Sequence, residues 1–143
     1  MVVTIYTDGG ARGNPGPAGG GMVVYDACRR LIFQKSCFWG IKTNNEAEYL
    51  AMKMALEWVK SNTNRYQITQ MDFYADSQLL IYQLQGLYKV KASNLKSLWA
   101  DCRQLLQDLN LPYSFNLIRR EENSLADKLA NQSMDSAYES KTT

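Results

Sequence analysis

The sequence predicts an α/β fold built on a five-stranded mixed sheet, an antiparallel three-stranded meander joined to two parallel strands, with helices on both faces. Three β-branched and aromatic runs come first, separated by turn-forming residues, and at Thr43 the hydrophobic period changes from that of a strand to that of a helix. From there helices alternate with two short strands. The resulting order, β-β-β-α-β-α-α-β-α, is a meander followed by crossover units, and crossovers through helices return a chain to parallel strands.

The first strand reads from Val2 to Thr7 and ends at Asp8-Gly9-Gly10. Gly13-Asn14-Pro15-Gly16-Pro17 then breaks regular structure. Gly21 to Ala27 and Leu31 to Trp39 follow as strands, joined across Arg29-Arg30 by a hairpin connection. Thr43-Asn44-Asn45-Glu46 fits a capping box, and Ala47, Leu50, Ala51, Met54 and Trp58 recur at helical spacing toward an end near Asn62. Met71 to Ala75 is a short strand running into Asp76-Ser77, and Gln78 to Gln85 a short helix closed by Gly86. After a linker carrying Lys89 and Lys91, the stripe Leu95, Leu98, Trp99, Cys102, Leu105, Leu106 and Leu109 marks an amphipathic helix, capped by Ser93 or Asn94 and stopped before Pro112. Tyr113, Phe115 and Leu117 alternate as the last strand, and a final helix starts at Asn123 or Ser124 with Leu125, Leu129 and Ala130 inward. Trp39, Trp58 and Trp99 are expected in the core.

The 143 residues suit one domain, taken to span residues 1–143 with a frayed tail from about 136. A content of 45% hydrophobic and 21% charged residues excludes disorder and fibre. No apolar run approaches the ~20 residues of a membrane helix, and no basic stretch precedes an apolar one at the N-terminus. The expectation is a cytoplasmic monomer with no membrane partner. Sixteen basic and fourteen acidic residues leave +2, too little to identify a nucleic-acid binder from bulk charge. Cys28, Cys37 and Cys102 lack Cys-x-x-Cys spacing, and there is no histidine. That removes zinc-finger sites and every Ser-His or Cys-His nucleophile, and leaves catalysis to carboxylates, lysine, tyrosine or bound metal.

Four carboxylates occupy telling places. Asp8 ends the first strand, Asp76 follows the fourth, Glu48 lies early in the first long helix, and Asp127 lies in the opening turns of the last. Sites in open α/β sheets gather at the carboxyl ends of strands, so parallel first and fourth strands would make Asp8 and Asp76 neighbours and bring Glu48 to the same edge. Singly, each acid reads as a turn former or as an answer to a helix dipole. Together they repel unless a cation neutralises them, and an all-carboxylate cluster points to Mg²⁺ or Mn²⁺ and to phosphate chemistry.

Thr7-Asp8-Gly9-Gly10-Ala11-Arg12-Gly13-Asn14-Pro15-Gly16-Pro17-Ala18-Gly19 resembles the opening of type 1 ribonuclease H. So do Thr43-Asn44-Asn45-Glu46-Ala47-Glu48-Tyr49, Ala75-Asp76-Ser77-Gln78, and Arg120 to Asn131, in the family's motif order. The resemblance is to a histidine-free branch. It implies the ribonuclease H-like fold and hydrolysis of the RNA strand of RNA/DNA hybrids, leaving 5′-phosphate and 3′-hydroxyl ends. It also implies two Mg²⁺ ions, replaceable by Mn²⁺, held by Asp8, Glu48, Asp76 and Asp127 as catalytic and metal residues. Asp8 would bridge the ions, and Glu46 is the helix cap partner.

The same resemblance assigns substrate contacts to Asn14, Asn44, Asn45 and Gln78, which match positions touching minor-groove edges or backbone, and to Thr43, which matches a DNA-phosphate pocket. Gly13 either lets backbone approach the RNA or merely permits the turn, and Thr43 and Asn45 are also simple cap residues. Lys89 and Lys91 are read as a weak strip along a backbone phosphate, with solvated linker charge as the alternative. Many relatives place a product-release histidine in the loop before the last acid. Here Arg120 and Glu122 are the candidates for that role. A binding module without cleavage and a nuclease for double-stranded RNA or a DNA junction stay open as other functions.

Overall fold

The computed structural model describes the backbone of residues 1–142 and the side chains of residues 1–137. Strands β1 (Val2–Ala11), β2 (Gly16–Tyr25), β3 (Leu31–Lys42), β4 (Gln70–Ala75) and β5 (Tyr113–Leu117) form one sheet in the order β3-β2-β1-β4-β5. The first three pair antiparallel, and β1, β4 and β5 pair parallel, as the sequence predicts. Helix α1 (Asn44–Tyr66) and α3 (Ser93–Leu109) pack together on one face, and α4 (Ser124–Thr142) covers β2 and β3 on the other. The short α2 (Gln78–Leu84) follows β4 in the chain and packs against β5 and α1. Val3 and Ile5 of β1, Met22 and Val24 of β2, and Phe73 of β4 meet Tyr49, Met52, Leu56 and Val59 of α1 in the main core. Burying such side chains contributes about 1.5–3 kcal/mol each, which is what holds α1 to the sheet.

Several boundaries differ from the sequence reading. Asp8 does not end β1: the ladder continues through Asp8↔Gly21, Gly9↔Gly20 and Gly10↔Gly19 to Ala11↔Ala18. Strand β2 likewise starts at Gly16, inside the segment read as loop, and ends at Tyr25. Glycine weakens strand propensity, and the sequence predicts this strand only from the third residue of the run Gly19-Gly20-Gly21. The purpose of the run is close approach. A Cβ on Gly21 would stand 2.5 Å from the Ala126 carbonyl oxygen and 2.6 Å from Leu129 Cβ, one on Gly19 would collide with Ser133 Oγ, and one on Gly20 with the Trp39 ring.

The capping box is formed as expected, with Glu46 N–H donating to Thr43 Oγ1 (3.1 Å) and Thr43 N–H to Glu46 Oε1 (2.9 Å). α1 outlasts the expected end at Asn62 and stops at Tyr66, where Gln67 turns left-handed. α3 has Ala92 at its N-cap and no side-chain cap bond, so neither Ser93 nor Asn94 serves. Gly86 takes φ +82 after α2, as a helix-closing glycine should. On the edge strand β5 only Phe115 is buried. In α4 it is Ala126 that is buried beside Leu129 and Ala130, with Leu125 half-buried. The tail expected to fray from about 136 is helical through Thr142, and Thr143 lies outside the described residues. Among the described residues no helix is long and apolar enough to cross a membrane.

Candidate active site

The parallel register of β1 and β4 runs from Val2↔Gln70 to Tyr6↔Tyr74, so Asp8 and Asp76 each lie two residues beyond the last matched pair. Parallel pairing thus sets their carboxylates side by side. Glu48 arrives from α1 because Gly9 has no side chain: a Cβ there would collide with the Ala47 carbonyl. The Gly9 N–H donates to Glu48 Oε1 and fixes that carboxylate over the strand. Asp8, Glu48 and Asp76 each offer an oxygen within 4.8 Å of the others, the only such group of three among the described residues. Asp127, in the first turn of α4, closes the cleft from the other sheet face.

Charge in this space is costly. Burial, then the Glu48 and Asp76 charges, raises the Asp8 carboxyl to about 10, with Asp127 adding to the rise. Burial raises Glu48 to about 8, against the lowering effect of the Gly9 N–H bond. Without a cation the pair holds a proton at neutral pH. An all-oxygen donor set in which Asp8 and Glu48 resist ionisation fits a hard divalent cation, which removes the repulsion and displaces the proton.

The residues expected around the acids divide. Asn44, Asn45, Asp127 and Arg120 line the cleft with the triad. Asn14 and Asn44 lock the turn to the helix start, with Asn44 N–H donating to Asn14 Oδ1 (3.0 Å) and Ala11 N–H to Asn44 Oδ1 (2.8 Å). The α1 cap is made by Thr43 and Glu46, which leaves Asn45 exposed and outside it. Gly13 takes φ +97, so the turn itself requires a glycine there. Gln78 is exposed beside the cleft and donates to Tyr88 Oη (3.0 Å), which ties the linker of Lys89 and Lys91 to the start of α2. Both lysines are exposed and outside the cleft. Arg120 reaches within 3.9 Å of Asp127, whereas Glu122 accepts from Arg119 N–H (3.1 Å) and caps its own turn, Arg120–Glu122.

Two side chains at the site escaped the sequence reading. Asn123, buried before α4, donates to the Thr7 carbonyl (2.8 Å) and to Asp76 Oδ1 (3.4 Å), joining both acid-bearing strands to the helix of Asp127. An asparagine before a helix reads as a cap, so no local signal separates the two roles. Arg12 is the other. It lines the cleft and pairs with Asp135 of α4 at 2.5 Å, across a sequence distance that no local pattern spans.

A family model described as reverse transcriptase-like matches residues 6–133. The structure of LC11-RNase H1 in complex with an RNA/DNA hybrid superposes with a TM-score of 0.90 at 39% identity, covering 95% of this chain and 99% of that one. The ribonuclease H of Ruthia magnifica subsp. Calyptogena magnifica is 31% identical over 150 residues, 93% of this chain and 95% of its own length. The bifunctional protein Rv2228c of Mycobacterium tuberculosis is 36% identical over 141 residues, 98% of this chain but 37% of its own. The chain thus spans little more than a third of that mycobacterial relative. Matched by the family model over most of its length and by ribonucleases H over more than nine-tenths of it, it belongs to the ribonuclease H proteins of the reverse transcriptase-like family.

Proposed function

We propose that the chain is a metal-dependent endoribonuclease that hydrolyses the RNA strand of RNA/DNA hybrids and leaves 5′-phosphate and 3′-hydroxyl ends. The observation that carries this is the cluster of Asp8, Glu48 and Asp76, three acids within 4.8 Å at the edge of an open cleft, in which burial and neighbouring charge oppose the ionisation of Asp8 and Glu48. These three and Asp127 would hold Mg²⁺ or Mn²⁺. Two such ions, when bound, supply a water-derived nucleophile at neutral pH and stabilise the leaving 3′-oxygen.

The other residues position the substrate. Asn14 and Asn44 commit their carbonyl oxygens to the turn and helix start, and their amide N–H groups have no partner among the described residues. Those donors suit the acceptors of a minor groove and the 2′-hydroxyls of an RNA strand. Thr43 accepts through Oγ1 from Glu46 N–H, so its hydroxyl proton is left for a phosphate of the DNA strand. Arg120, beside Asp127, is the better placed of the two loop candidates for easing product departure. Three free thiols, one of them exposed, suit a reducing cytoplasm.

The test is incubation of end-labelled RNA/DNA, RNA/RNA and DNA/DNA duplexes with protein in Mg²⁺, in Mn²⁺ and in excess chelator. Cleavage of RNA in the hybrid with either ion, and none in chelator, is expected. Rapid cleavage in chelator, or cleavage of all three duplexes alike, overturns the reading. Asp8→Asn removes nearly all turnover.

A further inference from the structure

We infer that Arg12 is a further substrate contact, a phosphate-binding guanidinium that Asp135 holds until the nucleic acid arrives. Arg12 follows the last paired residue of β1 and begins the turn that carries Gly13 and Asn14. Its backbone is fixed, with its N–H donating to the Pro17 carbonyl (2.9 Å), so the side chain leaves a rigid base at the rim of the acid-lined cleft. There it pairs with Asp135 at 2.5 Å and makes a long contact to the Asn131 carbonyl (3.5 Å).

Three physical points separate a waiting phosphate ligand from a structural clamp. First, a cleft built of carboxylates must receive a polyanion, and Arg12 and Arg120 are the cations that line it among the described residues. Second, each sits against an aspartate of the same helix, Arg120 on Asp127 and Arg12 on Asp135, and those acids lie about 12 Å apart along α4 at the rise of an α-helix. Two aspartates of helix α4 thus each stand against one of the cleft's arginines. Third, the Arg12–Asp135 pair is half exposed, at 44% and 56%, so the pair is weakly held and the guanidinium can exchange it for a bidentate phosphate contact. The inference rests on the reading that the substrate is a nucleic-acid duplex.

A clamp and a waiting ligand predict opposite signs for the two partners. Dissociation constants for an RNA/DNA hybrid and for a DNA duplex are measured in chelator across a salt series, for wild type, Arg12→Ala, Asp135→Asn and the double variant, with KM and kcat on the hybrid in Mg²⁺. Arg12→Ala is expected to weaken hybrid binding about 3- to 10-fold and to flatten the salt slope by about 0.7–0.9, the loss of one phosphate contact. Asp135→Asn is expected to tighten binding about 2- to 5-fold and lower KM with kcat unchanged, and to do nothing once Arg12 is alanine. If both single variants weaken binding, the pair is a clamp and the inference is overturned. It is overturned equally if Arg12→Ala changes neither affinity nor slope, or if the gain from Asp135→Asn persists without Arg12, which is bulk charge. A wild type that prefers the DNA duplex refutes the hybrid reading while the Arg12 effects are still read on that duplex; a wild type that binds neither refutes both.

Discussion

In the metal-free protein at neutral pH, Asp8 retains a proton that it would lose in the unfolded chain. Its folded pKa, near 10, lies above the ordinary value of 3.8 because of burial, then Glu48 and Asp76. The folded state therefore binds more protons between those values, so stability falls as pH climbs through that window and levels off above it. Asp8→Asn removes the penalty. In chelator at pH 7 the variant is expected to be more stable by at least ~1.4 kcal/mol, or ~2–4 °C in Tm, with the gain gone near pH 4 and narrowed by Mg²⁺, which stabilises the wild type more. A variant that melts at or below the wild type in chelator at pH 7 contradicts the geometry. Metal must also displace the proton, so affinity for Mg²⁺ rises with pH, up to about tenfold per unit if one proton leaves. Calorimetry in buffers of different ionisation heat counts that proton, and a count of zero removes the argument.

At the scale of elements, the contact that decides the site is α4 lying on the glycines of β2. Gly21→Ala forces a Cβ against the Ala126 carbonyl and Leu129 Cβ, and neither backbone nor a Cβ can swing aside. Overpacking of this kind costs about 1–3 kcal/mol, and here it also lifts the helix that carries Asp127. The expected result is a lower Tm together with a loss of turnover larger than the loss of folded protein. Gly86→Ala is the control. It meets nothing within 4 Å, pays only the left-handed backbone at φ +82, and leaves the cleft untouched, so turnover per folded molecule should not change. Equal losses of activity in the two variants would mean that α4 is not positioned by β2.

The whole molecule presents its charge unevenly although its net charge is only +2. Acids line the cleft, while Lys89 and Lys91 stand exposed beyond α2, joined to it through Gln78 and Tyr88. Lys89→Ala with Lys91→Ala is expected to weaken hybrid binding and reduce the salt slope by up to about 0.9 per lost phosphate contact, with the cleavage pattern unchanged. Binding measured from low to moderate salt checks this, and an unchanged slope makes both lysines solvated linker charge.

The sequence by itself determined the order of elements and the mixed sheet, and singled out the four acids as candidates, because hydrophobic period and capping chemistry are local. Thr43 and Glu46 announce α1 within four residues, and Asp76 and Asp127 stand beside a strand end and a helix start that their neighbours define. What only the tertiary structure decided is every feature created by contact between distant segments. Gly16, Gly19 and Gly20 fall outside the strand that the sequence predicts, since a missing side chain weakens a strand, yet at Gly19 and Gly21 that lack is what α4 needs to approach. Asn123 and Arg12 carry no local mark, since each acts on a partner more than forty residues away: Thr7 and Asp76 for one, Asp135 for the other. The raised pKa of Asp8 belongs to this second class as well. Acids at separate positions in a chain are ordinary, and only folding places Asp8, Glu48 and Asp76 within 4.8 Å of one another, with Asp8 far enough from water and close enough to its neighbours to keep its proton.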